Sequence, residues 1–351
     1  MKRRMKIGVA CLLIIIIGFI LGIIMNHFRN DFLDLNQEDQ RVLTEYDTFY
    51  RSLKEEPLWD GFDLDKKPIL FLAKDGLGAY LVNAPNKPDS IWAKKIELPE
   101  QFSLQSVYRI SFLMPRLLPL HFQGDFNTIK KKYTIVDNDV YFLRYDKKVS
   151  LEKKFTDKHL ATYLAHESFH YYMQNDWPFE DPPESELNEE GITLFKQECY
   201  ILGDIQEKLR SGTFQHEELV KDAKKLVEVV GKRLKNNKEY VSLQLEKELS
   251  EGTATYIGIK ASERVGYDFG VMYFDNRKEI PFSEIPEGLE VNAIETDFLF
   301  KRFPYESGAQ ICFLLDALQM DGWQQKLNMQ NKEHPVTLYT VLKEYVEDYR
   351  Q

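Results

Sequence analysis

The sequence predicts an α+β protein, and three observations carry that prediction. An uncharged apolar run from Ile7 to Met25 opens the chain. Residues 58–150 are rich in Tyr, Phe, Ile and Val in short runs broken by turn residues, the composition of half-buried strands. From 151 to 351 the apolar residues recur mainly at helical spacing. Sheet first and helices second is the order of an α+β fold.

The run 7–25 holds 19 residues. At about 1.5 Å per residue that approaches the roughly 30 Å of a hydrocarbon core. Lys2, Arg3, Arg4 and Lys6 precede it, so residues 1–6 are expected to form a cytoplasmic tail. A cleaved signal peptide is the rival, with an apolar region of about 7–15 residues ending in small side chains. The run ends instead in Gly22-Ile-Ile-Met25-Asn26-His27. The expectation is an uncleaved transmembrane anchor, a single-pass place in the cell membrane, and a C-terminal domain outside the cytoplasm.

Charge and cysteine content exclude two classes. The chain carries −10 overall, and residues 1–30 hold five basic and no acidic side chains, which leaves −15 on the remainder. So acidic a surface repels nucleic acid, and no nucleic-acid partner is expected. Of three cysteines one lies in the apolar run, so at most Cys199 and Cys312 can pair, and disulfides do not stabilise this chain.

The elements follow in order. Within 26–57, Val42, Leu43, Tyr46, Phe49, Tyr50 and Leu53 give a juxtamembrane helix over 37–54 one apolar face. In the β-rich segment 58–150, "PILFLAKDGLGAYLVNAP" reads as two strands about Asp75-Gly76, and "YTIVDNDVYFLRY" as two about Asn138-Asp139. An antiparallel sheet is expected. The helical segment 151–351 predicts helices over 157–175, 191–210, 217–236, 240–262 and 305–320. A proline- and acid-rich loop, "PFEDPPESE", separates the first two, and 265–300 reads as irregular.

The first of these helices carries "LATYLAHESFHYYMQ". Residues i and i+4 share a helix face, so His166 and His170 can present two imidazole nitrogens to one zinc ion. Glu167 then turns towards water on that ion, which is the physical content of the H-E-x-x-H pattern. Leu160, Ala161, Leu164, Ala165, Phe169 and Tyr172 make the element mostly apolar, and Thr156 or Asp157 can cap it. The bland alternative is a helix whose two histidines are exposed or satisfied by hydrogen bonds.

A catalytic zinc needs a third protein ligand. The remaining histidines, at 27, 121, 159, 216 and 334, lack ligand spacing to this pair, so a glutamate is the natural choice. Glu189 follows His170 after 18 residues and Glu251 after 80. Glu248 and Glu198 are further candidates for third or outer-shell ligand.

His166-Glu-Ser-Phe-His170 with Glu251-Gly-Thr-Ala-Thr-Tyr resembles the gluzincin metallopeptidases, the thermolysin-like and aminopeptidase-like zinc enzymes. In that group two histidines on one helix and a glutamate on the next bind zinc, and glycine and alanine let the second helix approach the first. The segment Tyr305-Glu306-Ser307-Gly308-Ala309 is similar to one whose tyrosine hydroxyl stabilises the tetrahedral intermediate. The resemblance covers three short motifs within 160–315. It implies zinc on His166, His170 and Glu251, Glu167 as general base, Tyr305 as oxyanion donor, and a zincin-like catalytic domain. An edge strand of the sheet would pair with extended substrate. The gap to Glu251 is longer than usual for the group, and the strand that anchors substrate amino termini in the aminopeptidases is absent.

The function expected is a membrane-anchored zinc metallopeptidase acting on a peptide or protein. The alternative is an inactive gluzincin-like binding or sensor module at the cell surface.

Overall fold

The computed structural model describes residues 13, 17–24, 26, 28, 30–76, 78–178, 187–275, 277–331 and 333–349. The chain folds as α+β and divides into two units. One holds Met1–Pro57, Asp63–Lys153 and Lys158–Leu164; the other holds Leu58–Phe62, Lys154–Asp157 and Ala165–Gln351.

The first unit is built on six strands: β1 (Ile69–Ala73), β2 (Ala79–Val82), β3 (Ala93–Lys95), β4 (Val107–Ile110), β5 (Tyr133–Ile135) and β6 (Asn138–Tyr145). Their order is β3-β4-β2-β1-β6-β5. β1 and β2 form the hairpin expected about Asp75-Gly76, with Ile69 opposite Val82. The sheet is nevertheless mixed rather than antiparallel, because β1 also pairs in parallel with β6, Ile69 beside Tyr141. The second hairpin turns two residues earlier than expected. Val136 and Asp137, at φ +40° and +60°, form its loop, and Ile135 faces Asn138. Two positive-φ residues give the twist that a two-residue hairpin requires. Asn138 opens β6 instead, its buried amide donating to Val136 O (2.8 Å) and Asn86 O (3.0 Å).

All five residues of β1 are buried, because both sheet faces are covered. On one face Leu70, Leu72, Leu81, Ile110, Leu117 and Phe142 share a core. On the other lies α1 (Gln37–Glu55), whose Tyr46 ring meets Phe71 at 4.9 Å. A short α2 (Lys147–Glu152) follows β6.

The membrane anchor expected over 7–25 is overturned. Among the described residues no helix is long and apolar enough to cross a membrane. Residues 17–24 are helical. Residues 1–12, 14–16 and 25 lie outside the described residues. Part of the apolar run instead covers protein: Phe19 meets the Trp92 ring edge-on at 5.2 Å, and buried Asn26 points its amide at Trp92 O. The single-pass cell-membrane placement, with its extracytoplasmic domain, falls with the anchor.

The second unit is helical. It takes in α3 (Leu160–Met173) from Ala165 onward, and then α4 (Glu189–Ser211), α5 (His216–Asn236), α6 (Lys238–Lys247), α7 (Thr253–Arg264), α8 (Ile285–Glu290), α9 (Phe298–Lys301), α10 (Phe303–Ala317), α11 (Trp323–Asn328) and α12 (Leu338–Asp348). Each long helix expected from the sequence is present within a few residues. α8 and α9 depart from the irregular structure expected over 265–300, and α11 and α12 also lie outside the expected helices, although Leu338, Val341, Leu342 and Val346 are buried at helical spacing behind a Thr337 cap. Helix α3 begins at Leu160, past both expected caps, and the Asp157 carboxylate instead takes Arg302 Nη1 at 3.0 Å. Cys199 and Cys312 are buried free thiols.

α6 and α7 run as one helix through a π turn, Glu248–Gly252. Glycine is needed here because of α10. A Cβ on Gly252 would stand 2.5 Å from Gly308 Cα, and one on Gly308 would stand 2.8 Å from Gly252 Cα. Two backbones touch where no side chain fits. The glycine beside Glu251 therefore admits the helix that carries Tyr305, rather than serving the approach to α3 that the resemblance implies.

Candidate metal centre

The rotation of α3 is set by its apolar residues. Leu164, Ala165 and Phe169 are fully buried, and the Phe169 ring is held edge-on by Trp59 (5.2 Å) and Phe62 (5.4 Å). With that face fixed, residues 166, 167 and 170 remain half-buried. The π turn presents Glu251 to the same place. His166 Nε2 and His170 Nε2 lie 3.2 Å apart, His170 Nε2 and Glu251 Oε2 3.2 Å, and His166 Nε2 and Glu251 Oε2 3.6 Å. Among the described residues this is the one grouping of three potential ligand side chains.

The three atoms fit a zinc ion. Ligands about 2.0–2.1 Å from zinc at tetrahedral angles stand roughly 3.3–3.4 Å from one another. The observed edges bracket that value. They are longer than the ~2.7–2.9 Å of a direct imidazolium–carboxylate hydrogen bond. Two ring nitrogens facing each other also need a cation or a shared proton between them. The side chains keep 13–17 % exposure, enough for a small ion to reach them.

The second layer was not read from the sequence. Gln174 Oε1 takes His170 Nδ1 at 2.5 Å, while Gln174 Nε2 donates to Ser250 O and Thr253 Oγ1, each at 2.8 Å. The two donor bonds fix the amide orientation. The amide oxygen then requires a proton on Nδ1 and leaves the Nε2 lone pair for a ligand. Gln174 lies four residues beyond His170, the same interval that joins His170 to His166, so its spacing was visible.

Tyr305 stands at the head of α10, its ring parallel to His166 with centroids 6.3 Å apart. It is steadied by Arg302, whose guanidinium carbon lies 5.6 Å from the ring centre. Arg302 is itself held by Asp157 and by the buried Glu306 carboxylate, at 2.9 Å, which also accepts Met272 N at 2.6 Å.

The charges of the site are strongly coupled. Burial alone favours neutral groups, yet the His170 pKa is lifted to about 9 because Glu251 and Glu167 face it. Burial would raise the Glu251 carboxyl, but the two imidazoles hold it far below the usual carboxylate range. Glu167 moves up, mainly by burial, against the pull of both histidines. Burial and then the charge of Glu251, to which its hydroxyl bonds, push the Tyr305 phenol well up, so it stays protonated.

The rival third ligands lie elsewhere. Glu189 is exposed in the first turn of α4. Glu198 is buried against Arg233, and Glu248 accepts Gln244 Nε2 and Ser307 Oγ, each at 2.8 Å.

The fold and site together define an α+β protein whose helical unit gathers two imidazoles and a carboxylate around a common point. No family model, curated protein or solved structure matches the chain.

Proposed function

We propose that this protein is a zinc-dependent peptide hydrolase, with His166, His170 and Glu251 as metal ligands and a peptide or protein as substrate. One observation carries the reading: the near-regular triangle of Nε2, Nε2 and Oε2 atoms, whose edges match a tetrahedral zinc site. Bound zinc supplies Lewis acidity, which polarises a carbonyl and acidifies water.

The remaining chemistry falls to the chain's own groups. Glu167 adjoins both histidines on the same helix face, and its carboxylate accepts the proton of the attacking water and returns it to the leaving amine. Its raised pKa makes it a stronger base than an exposed glutamate. The protonated Tyr305 hydroxyl exchanges its bond to Glu251 for one to the developing oxyanion. Gln174 keeps the His170 ring in the ligating tautomer.

Metal analysis of the purified chain, with hydrolysis of a peptide library, tests the reading. The expected result is one zinc per chain, cleavage inhibited by chelator, and loss of both in Glu251→Ala. Stoichiometric zinc retained by Glu251→Ala, or a chain that takes up no zinc at all, overturns it.

A further inference from the structure

A cavity of about 680 Å³ opens among α4, α7, α10 and the irregular stretch 267–279. It lies beside Ile259 and Glu263 of α7, the helix that continues from the π turn bearing Glu251, and beside Gln310 and Phe313 of α10, the helix that carries Tyr305. Its size falls within the roughly 300–1,000 Å³ of small-molecule sites.

The Gln310 side chain lines this cavity, is 97 % buried (3 % exposed), and has no hydrogen-bond partner among the described residues. An amide that has no partner on the protein and keeps contact with the open space of a cavity is placed to meet a ligand. The walls beside it are the aromatic faces of Phe214, Tyr267, Phe269 and Phe313. Four carboxylates complete the lining, Glu263, Asp268, Glu279 and Asp316, against the one guanidinium of Arg210. Arg210 is already shared between Glu207 and Glu279, and Asp268 is paired with Lys278. Glu263 forms no ion pair among the described residues. Asp316 accepts neutral donors, Tyr256 Oη at 2.5 Å and Trp323 Nε1 at 3.2 Å.

We propose that this cavity binds an amine, an ammonium group on an apolar body, whose charge faces the carboxylates while its body lies against the aromatic rings and its N–H meets the Gln310 carbonyl. Aromatic faces attract cations through their quadrupole, and the acidic mouth selects against anions. The amine comes either from a basic side chain of a bound peptide or from a free small molecule; the recognition chemistry is the same. The inference does not rest on the metal centre, so failure of either reading leaves the other standing.

Calorimetric titration of the full chain with phenethylamine, and with 2-phenylethanol as its uncharged analogue, tests it. The amine should bind about tenfold or more tightly than the alcohol. Gln310→Leu should weaken the amine by about tenfold while leaving Tm unchanged, because the amide opens on the cavity and holds no partner on the protein. A residue with a merely structural role would lower Tm. Glu263→Gln, at an exposed position, should weaken binding with Tm unchanged. A capped lysine peptide that outcompetes phenethylamine assigns the cavity to peptide side chains, and the reverse order assigns it to a free amine. Equal affinity for amine and alcohol, undiminished binding to Gln310→Leu, or no heat with any of these probes overturns the proposal.

Discussion

Glu248 and Glu251 stand three residues apart in the same π turn, and their surroundings differ in kind. Glu248 belongs to a fully buried cluster in which the chain itself provides the cation: Arg233 pairs with Glu198 and donates to Gln244 Oε1 at 2.8 Å, and Gln244 in turn bonds Glu248. Burial, and then the charge of Glu198, push the Glu248 carboxyl up to about 7. Glu251 faces two imidazoles, which carry a positive charge only when protonated or when they share an ion. One carboxylate thus has its cation from the fold, and the other faces imidazoles whose charge is not fixed. A buried acid satisfied by arginine, amide and hydroxyl is a structural element. A buried acid that meets two histidines and a tyrosine hydroxyl has no fixed cation of its own, which is the feature that the proposed metal reading uses.

The contrast can be tested from its strongest consequence downward. Glu167→Gln should reduce kcat by roughly 10²–10⁴-fold with zinc content unchanged, read by metal analysis alongside steady-state hydrolysis. Should that variant lose its zinc, Glu167 is a ligand and the division between ligand and base is wrong. Arg233→Ala attacks the other cluster. It leaves Glu198 buried without its cation, which costs about 3–5 kcal/mol in denaturant unfolding. Zinc affinity of whatever fraction remains folded should be unchanged. A Glu248→Gln chain should likewise keep its metal.

Gln174→Leu should weaken zinc by about 10–100-fold, the usual effect of removing an outer-shell partner, as measured by competition with a chromophoric chelator. An unchanged affinity would mean that the His170 tautomer is held by other groups. The smallest effect, taken per pH unit, is the pH dependence. Metal binding requires neutral His170, so apparent zinc affinity should fall by about tenfold per pH unit below about 9. Without metal the sign reverses. The raised His170 pKa stabilises the fold below its ordinary value of 6.5, and this is lost as pH rises towards about 9. The depressed Glu251 pKa stabilises it above 4.5, and this is lost on acidification. Thermal melts of metal-free chain should therefore peak between 4.5 and 6.5 for this pair.

What the sequence revealed follows range along the chain. His166, Glu167 and His170 lie within one and a half turns of a strongly patterned helix, so their shared face was legible. Gln174 obeys the same spacing, but an amide is not a usual metal ligand, and spacing alone does not mark it. Glu251 could be favoured over Glu189 through its glycine-containing context and because Glu189, just after the proline-rich loop, reads as a charge near a helix start. The physical basis of that context, the meeting of Gly252 with Gly308, depends on two helices distant in sequence. The parallel pairing of β1 with β6 was invisible for the same reason: about 70 residues separate Ile69 from Tyr141, and no local pattern encodes the partner. The apolar run at the start misled because hydropathy measures aversion to water and not its remedy. Phe19 finds that remedy in part against Trp92.

The π turn carries a consequence for how this site tolerates change. An α-helix advances about 100° per residue, and the wider turn absorbs one residue more than an α-helix would over the same rise. Deleting a single residue such as Ser250 would restore ordinary winding and preserve helicity. The helices on either side would keep nearly their present phase, because the wider turn holds its extra residue without adding rotation. The Arg233 network and the Gly252–Gly308 seam would survive, while the Glu251 carboxylate would lose the offset that brings it to His166 and His170. In this chain, one supernumerary residue aims a side chain without disturbing the rod that carries it.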